Sequence, residues 1–166
     1  MTINKEKVKL DDIDLQILRN LQVNGRMTNA KLAAKVGLSA PPMLERVKKL
    51  ERSGIIKGYR AILDAKLLEQ DFFVFVALNL NVSELANVAQ FELKLAAMEE
   101  VMECHHIAGD IDFLLKVNVK DQEDYKQFVI ENLAKIDGIN RIHSWVVLST
   151  VKDSTELCID DSKKNK

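Results

Sequence analysis

The chain has 166 residues with 24 Lys or Arg against 25 Asp or Glu, 47% hydrophobic and 30% charged. That balance fits one ordinary globular domain or two small ones and does not fit a largely disordered chain. No apolar run approaches the roughly 20 residues that span a bilayer, and the opening MTINKEKVK lacks the apolar centre of a signal peptide, so a cytoplasmic protein is expected.

Residues 1–9 are polar and read as a disordered tail. Structure is expected to begin at LDDIDL (10–15), where Asp11 caps a helix, Leu10 staples to Leu15, and acidic residues suit the positive end of the helix dipole. Ile13, Ile17, Leu18 and Leu21 form its buried stripe, and Asn24-Gly25 ends it. Thr28 then caps a second helix carrying Leu32, Ala33 and Val36, which Gly37 terminates in a left-handed turn. Ser39 caps a third, with Pro41 and Pro42 in the first turn, where backbone N–H groups have no partner to lose. Residues 28–53 therefore read as a helix-turn-helix, and the first helix completes a three-helix core.

At about 100° per residue, Met43, Leu44, Val47 and Leu50 share one side of the third helix, while the opposite arc centres on Glu45, Lys49 and Arg52, flanked by Arg46 and Lys48. Lysine and arginine on a surface helix are ordinary, but the charge distribution is not. From Arg26 to Arg60 there are nine Lys or Arg and two Glu, a net of +7; residues 1–25 are balanced, and residues 61–166 carry a net of −8. A basic module joined to an acidic one is expected when only one end must meet phosphates. Ser39, Pro41, Glu45, Arg46, Lys48, Lys49 and Arg52 are the candidate double-stranded DNA contacts. The segment GIIKGYRAIL (54–63) reads as one or two short strands; either it forms a wing in which Lys57 and Arg60 touch DNA, or it is a plain connector.

Asp64–Asp71 is polar and irregular and is read as a linker between a domain at 10–63 and one at 72–152, with 153–166 as a C-terminal tail. Beyond the linker the apolar period changes from 3.6 to 2. FFVFVALNLN (72–81) is a strand. A helix with Leu85, Val88, Phe91, Leu95 and Met98 follows, then the strand VMECHHIA (101–108), the turn Gly109-Asp110, and a strand in which Phe113, Leu115, Val117 and Val119 alternate with polar neighbours. Asp121 caps a helix bearing Tyr125, Phe128, Val129, Leu133 and Ile136, and INRIHSWVVLST (139–150) is the last strand. The order βαββαβ is that of a ferredoxin-like sheet with both helices on one face. In the first and last strands both alternating sets are apolar: Phe73, Phe75, Val146 and Leu148 in one, Val74, Val76, Trp145 and Val147 in the other. A face of that composition left bare would be a large apolar patch, so it is expected to pack on a second copy through a two-fold axis, which would also pair two recognition helices on one duplex.

The stretch LDDIDLQILRNLQVNGRMTNAKLAAKVGLSAPPMLERVKKLERSGIIKGYRAILD resembles the N-terminal half of the Lrp/AsnC family, the leucine-responsive and asparagine-type regulators, and ECHHIAGDIDFLLKVNVKD resembles their effector-binding half. The likeness runs over residues 10–155, and SAPPMLERVKKLERSGIIKGY points to the leucine-responsive branch. It implies an α+β chain: a winged helix-turn-helix domain followed by a ferredoxin-like effector and oligomerisation domain. It further implies a transcriptional regulator that forms homodimers and often octamers, and a free amino acid bound between C-terminal domains, with no other cofactor. Gly109, Asp110 and Asp112 would then lie at the effector cleft, Gly109 letting backbone N–H groups approach a carboxylate and Asp112 pairing with the ammonium, while Val146 and Val147 line the side-chain pocket. The bland alternative is a tight hairpin turn beside a surface charge. Ala108 stands where relatives often carry a hydroxyl residue, which removes one potential ligand hydrogen bond.

Cys104, His105, His106, Asp110, Asp112 and His143 are metal-ligand types, but strand alternation sends Cys104 and His106 to one face and His105 to the other, and no spacing fits a zinc site. Cys104 and Cys158 are too far apart, in settings too different, to suggest a disulfide scaffold. Cys104 beside His106 lacks oxyanion donors and an orienting third group, and no phosphate-binding glycine loop is present, so an enzyme is not expected. The regulator is expected to be nucleoid-associated; the competing reading is a small-ligand sensor or assembly protein whose basic module binds another protein, or an effector-free architectural protein that compacts DNA with little sequence preference.

Overall fold

In a computed structural model, residues 9–81, 83 and 87–159 are described, and the chain divides into two compact units, Met1–Ile62 with Asp153–Lys166, and Leu63–Lys152.

The first unit holds helices α1 (Asp12–Val23), α2 (Asn29–Val36) and α3 (Ala40–Arg52). Asp11 caps α1 in a reciprocal box: its carboxylate accepts from the Asp14 N–H, and the Asp14 carboxylate accepts from the Asp11 N–H. Thr28 caps α2 through its hydroxyl, and Gly37, at φ 73°, ends it. Ser39 occupies the N-cap position of α3 without a side-chain hydrogen bond. Its helix start relies instead on Pro41 and Pro42, whose fixed φ is already helical. Ile17, Leu32, Ala33, Met43, Val47 and Leu50 make the core, with Leu10, Ile13, Leu18, Leu21 and Val36 packed around it.

The strands expected over 54–63 do not form. The N–H groups of Ile55 and Ile56 turn back to the Leu50 carbonyl at the end of α3, and among the described residues no backbone ladder forms over 57–63. Tyr59 is held there by its hydroxyl, which donates to Glu51, and its ring lies against Gly25, where an added Cβ would come within 3.2 Å.

The second unit is a four-stranded antiparallel sheet of order β2-β3-β1-β4, built from β1 (Phe72–Leu80), β2 (Val101–His106), β3 (Phe113–Val119) and β4 (Ile139–Val146). Helices α4 (Val88–Ala96) and α5 (Gln122–Phe128) complete the βαββαβ order, α5 running into one wide π turn over Val129–Leu133. Leu85 lies outside the described residues. One face of the sheet (Val74, Val76, Leu78, Phe113, Leu115, Val117) is buried with Phe91, Leu95, Phe128, Leu133 and Ile136 from the helical layer. Pairing of Phe75 with Trp145 and of Val74 with Val146 sets the faces of β4. Trp145 therefore joins Phe73 and Phe75 on the open face, and Val146 joins the helix side, the reverse of the grouping drawn from the alternation of each strand alone. A strand's own alternation leaves its register to its neighbour undetermined.

Candidate functional site

The outward stripe of α3 is built by spacing. Met43, Val47 and Leu50 are buried, which turns Pro41, Glu45, Lys48 and Arg52 together to solvent, with Lys49 beside them and Ser39 exposed at the helix start. Glu45 sits between two cations, 3.6 Å from Lys48 and 3.9 Å from Arg52, and Arg52 also donates to the Lys48 carbonyl. These exposed pairs are weak and salt-sensitive, so both cations remain available to a phosphate.

Arg46 stands apart from this stripe. Its guanidinium turns toward the start of α1, 2.7 Å from both Asp11 and Asp14. Asp14 is 1% exposed, and Lys49 reaches its other oxygen at 3.8 Å. Partial burial opposes ionisation of Asp11, yet the Asp14 N–H and the Arg46 guanidinium outweigh it and hold that carboxyl below its ordinary range. The two carboxylates in turn raise the Arg46 pKa above its usual value. This cluster joins the N-terminus of α1 to the middle of α3 and sets how the stripe is presented. Its sequence trace is the Asp11-x-x-Asp14 spacing; what the sequence did not reveal is that Asp14 is buried and needs a cation from another helix.

In the sheet unit, Gly109, Asp110 and Asp112 occupy the turn between β2 and β3. The Asp112 carboxylate accepts the Leu80 N–H at 2.7 Å, its own N–H donates to the Leu78 carbonyl, and the Asn79 amide donates to the Asp110 carbonyl. Asp112 thus extends the β1–β3 ladder by one side-chain bond, and one of its oxygens is already engaged. Gly109 is exposed and meets nothing within 4 Å of where a Cβ would stand, so within one chain neither backbone nor packing requires glycine there.

Val146 pairs with Val74, and the Val147 N–H donates to the Phe73 carbonyl. These contacts lie at the opposite end of β1 from Leu78–Leu80, about 15 Å away at roughly 3.4 Å per residue. One chain therefore does not bring the two halves of the anticipated effector pocket together. Cys104 and His106 face the helical layer, His106 stacking on Phe113, whereas Glu103 and His105 pair on the open face beside Lys116. Among the described residues no three His, Cys, Asp or Glu side chains converge as a metal set, and no helix is long and apolar enough to cross a membrane.

The two units match separate family models, winged helix-turn-helix DNA-binding over residues 10–57 and the Lrp/AsnC ligand binding domain over residues 73–157. The leucine-responsive regulatory protein of Escherichia coli K12 is 42% identical over 150 residues, covering 90% of this chain and 92% of that protein. Its Haemophilus influenzae counterpart is 40% identical over 155 residues, 93% of each. Among solved structures, a transcriptional regulator of Neisseria meningitidis in complex with L-Met superposes with a TM-score of 0.85 at 32% identity, over 90% of this chain and 96% of that one. E. coli AsnC does so at 0.82 and 27%, over 89% and 98%. These relatives are transcriptional regulators and not enzymes, and the chain belongs to the Lrp/AsnC family.

Proposed function

We propose that this protein is a sequence-specific transcriptional regulator acting on duplex DNA in the cytoplasm, as a homodimer or an assembly of homodimers, under the control of a free amino acid. The observation that carries the DNA assignment is the solvent-facing stripe Pro41, Glu45, Lys48 and Arg52 on a second helix-turn-helix helix whose opposite side buries Met43, Val47 and Leu50 in the core. Ser39 and Lys49 complete the contact set; Arg46 serves it by holding α3 against α1. The functional modules are 10–63 and 72–152, with 64–71 as the linker.

Assembly is supported by the open sheet face. Phe75 and Trp145 are cross-strand neighbours, 38% and 49% exposed, and Phe73 and Leu114 flank them; an apolar surface of this kind suits a second copy. Effector binding is supported by the L-Met complex of the Neisseria relative. Because the Gly109–Asp112 turn and Val146–Val147 sit at opposite ends of β1, a pocket that uses both draws them from different copies.

Footprinting and competition with random duplex test the reading. A protected site of one or more helical turns, bound at least about 10³-fold more tightly than random DNA, is the expected result. Equal affinity for both would instead assign the protein to DNA compaction, and absence of binding at low salt would remove the DNA assignment. A thermal-shift screen with the twenty amino acids, methionine and leucine first, tests the effector; no shift with any of them would mean a regulator without one.

A further inference from the structure

The segment after Lys152 does not hang from the sheet unit; Asp153–Ile159 belongs with the helical unit and is held there by two side chains of α1. Gln22 grips Leu157 at both backbone groups, its amide oxygen accepting the Leu157 N–H at 2.7 Å and its amide nitrogen donating to the Leu157 carbonyl at 3.2 Å. One turn earlier, Arg19 donates through Nε and Nη2 to the Ile159 carbonyl at 3.3 and 2.9 Å. Leu157 is 76% exposed and Cys158 is exposed, while Ile159 is half-buried, so this face of α1 holds an irregular segment mainly by its main chain.

We propose that this face of α1 is a peptide dock whose occupant is the chain's own C-terminal segment, and that the docked segment positions the DNA-binding unit. The units are joined covalently after Ile62; docking adds a second path between them, after Lys152. Two connections restrict a domain more than one does, and restriction paid before binding favours one geometry of two linked grips over others. Arg19 and Gln22 are then positioning residues: they touch no base, yet they set which half-site spacing is accepted.

The dock is tested in the full-length protein by hydrogen exchange at residues 155–159 in wild type, Gln22→Ala and Gln22→Glu. Glutamate keeps the acceptor for the Leu157 N–H and loses the donor. Loss of two hydrogen bonds should speed exchange about tenfold in Gln22→Ala, with Gln22→Glu in between. Equal exchange in all three overturns the dock. Protection that disappears on dilution, as oligomers separate, overturns its assignment to the same chain.

The positioning role rests on the DNA-binding reading and is measured separately, with duplexes whose half-site spacing is changed by one to five base pairs. Wild type should prefer one spacing by at least tenfold, and Gln22→Ala and a chain ending at Lys152 should flatten that preference while keeping affinity for a single half-site. Faster exchange with an unchanged spacing preference overturns the positioning role and leaves the dock. Loss of DNA binding in wild type itself would instead sink the functional reading.

Discussion

Replacing Arg46 by alanine separates a structural role from a DNA contact. Asp14 is 1% exposed, and its nearest charge partner is the Arg46 guanidinium at 2.7 Å; removal leaves it with Lys49 at 3.8 Å. Breaking a buried ion pair from one side costs about 3–5 kcal/mol because the remaining charge stays desolvated. Here the arginine side chain is 29% exposed and a second cation remains nearby, so solvent screening lowers the expectation to about 2 kcal/mol. For a unit of this size that is a fall of roughly 8–16 °C in Tm.

The chain's single tryptophan, Trp145, lies in the sheet unit. Helical circular dichroism should therefore show an early transition in Arg46→Ala while tryptophan fluorescence keeps its own midpoint. Replacing both partners by apolar residues, Asp14→Leu with Arg46→Met, should recover all but about 1 kcal/mol, the share of the lost cap. An unchanged midpoint accompanied by weakened DNA binding would make Arg46 a direct DNA contact and not a brace between α1 and α3.

Lys48→Ala should lower the slope of log affinity against log salt by about 0.9 if Lys48 meets one phosphate, and Glu45→Gln should strengthen binding to random duplex by releasing Lys48 and Arg52. Both are read by fluorescence anisotropy across a salt series. Asp112→Ala strands the Leu80 N–H and should cost about 1–3 kcal/mol in urea unfolding followed at Trp145, whereas Asp112→Asn keeps an acceptor and should leave the fold intact while abolishing calorimetric uptake of the effector. Asp11 has a depressed carboxyl pKa in the folded state, so its stabilisation is complete above the ordinary aspartate value near 4 and is lost as pH falls through the lower folded value. The helical transition should weaken below about pH 4, and Asp11→Asn should flatten that limb. Trp145→Arg should place a charge on the open sheet face and yield single chains in light scattering, with α1–α3 unaffected.

The element order was legible because each boundary carries local chemistry: Asp11, Thr28 and Asp121 cap the helices that follow them, Gly37 ends α2, and the switch from a 3.6 to a 2 residue period marks the passage to the sheet. The cationic face of α3 was legible for the same reason, although Leu44, expected in the apolar stripe, lies at its edge and is 38% exposed. Relations between elements were not. Nothing near Arg46 in the sequence signals that it is drawn inward by carboxylates more than thirty positions earlier, nor does anything near Gln22 announce a partner at Leu157. Strands over 54–63 were suggested by β-branched residues between glycines, but a strand needs a hydrogen-bonded neighbour, which propensity does not supply. The effector residues are read as one group in sequence, while the register of β1 sets Asp112 and Val147 at its two ends.

If the sheet unit pairs copies, two α3 helices act on one duplex. Light scattering of the protein with a footprinted duplex, against protein concentration at low salt, measures this directly. Two chains, or a multiple of two, are expected per bound site, with Trp145→Arg binding a half-site only weakly; one wild-type chain bound tightly to a full site would overturn the pairing.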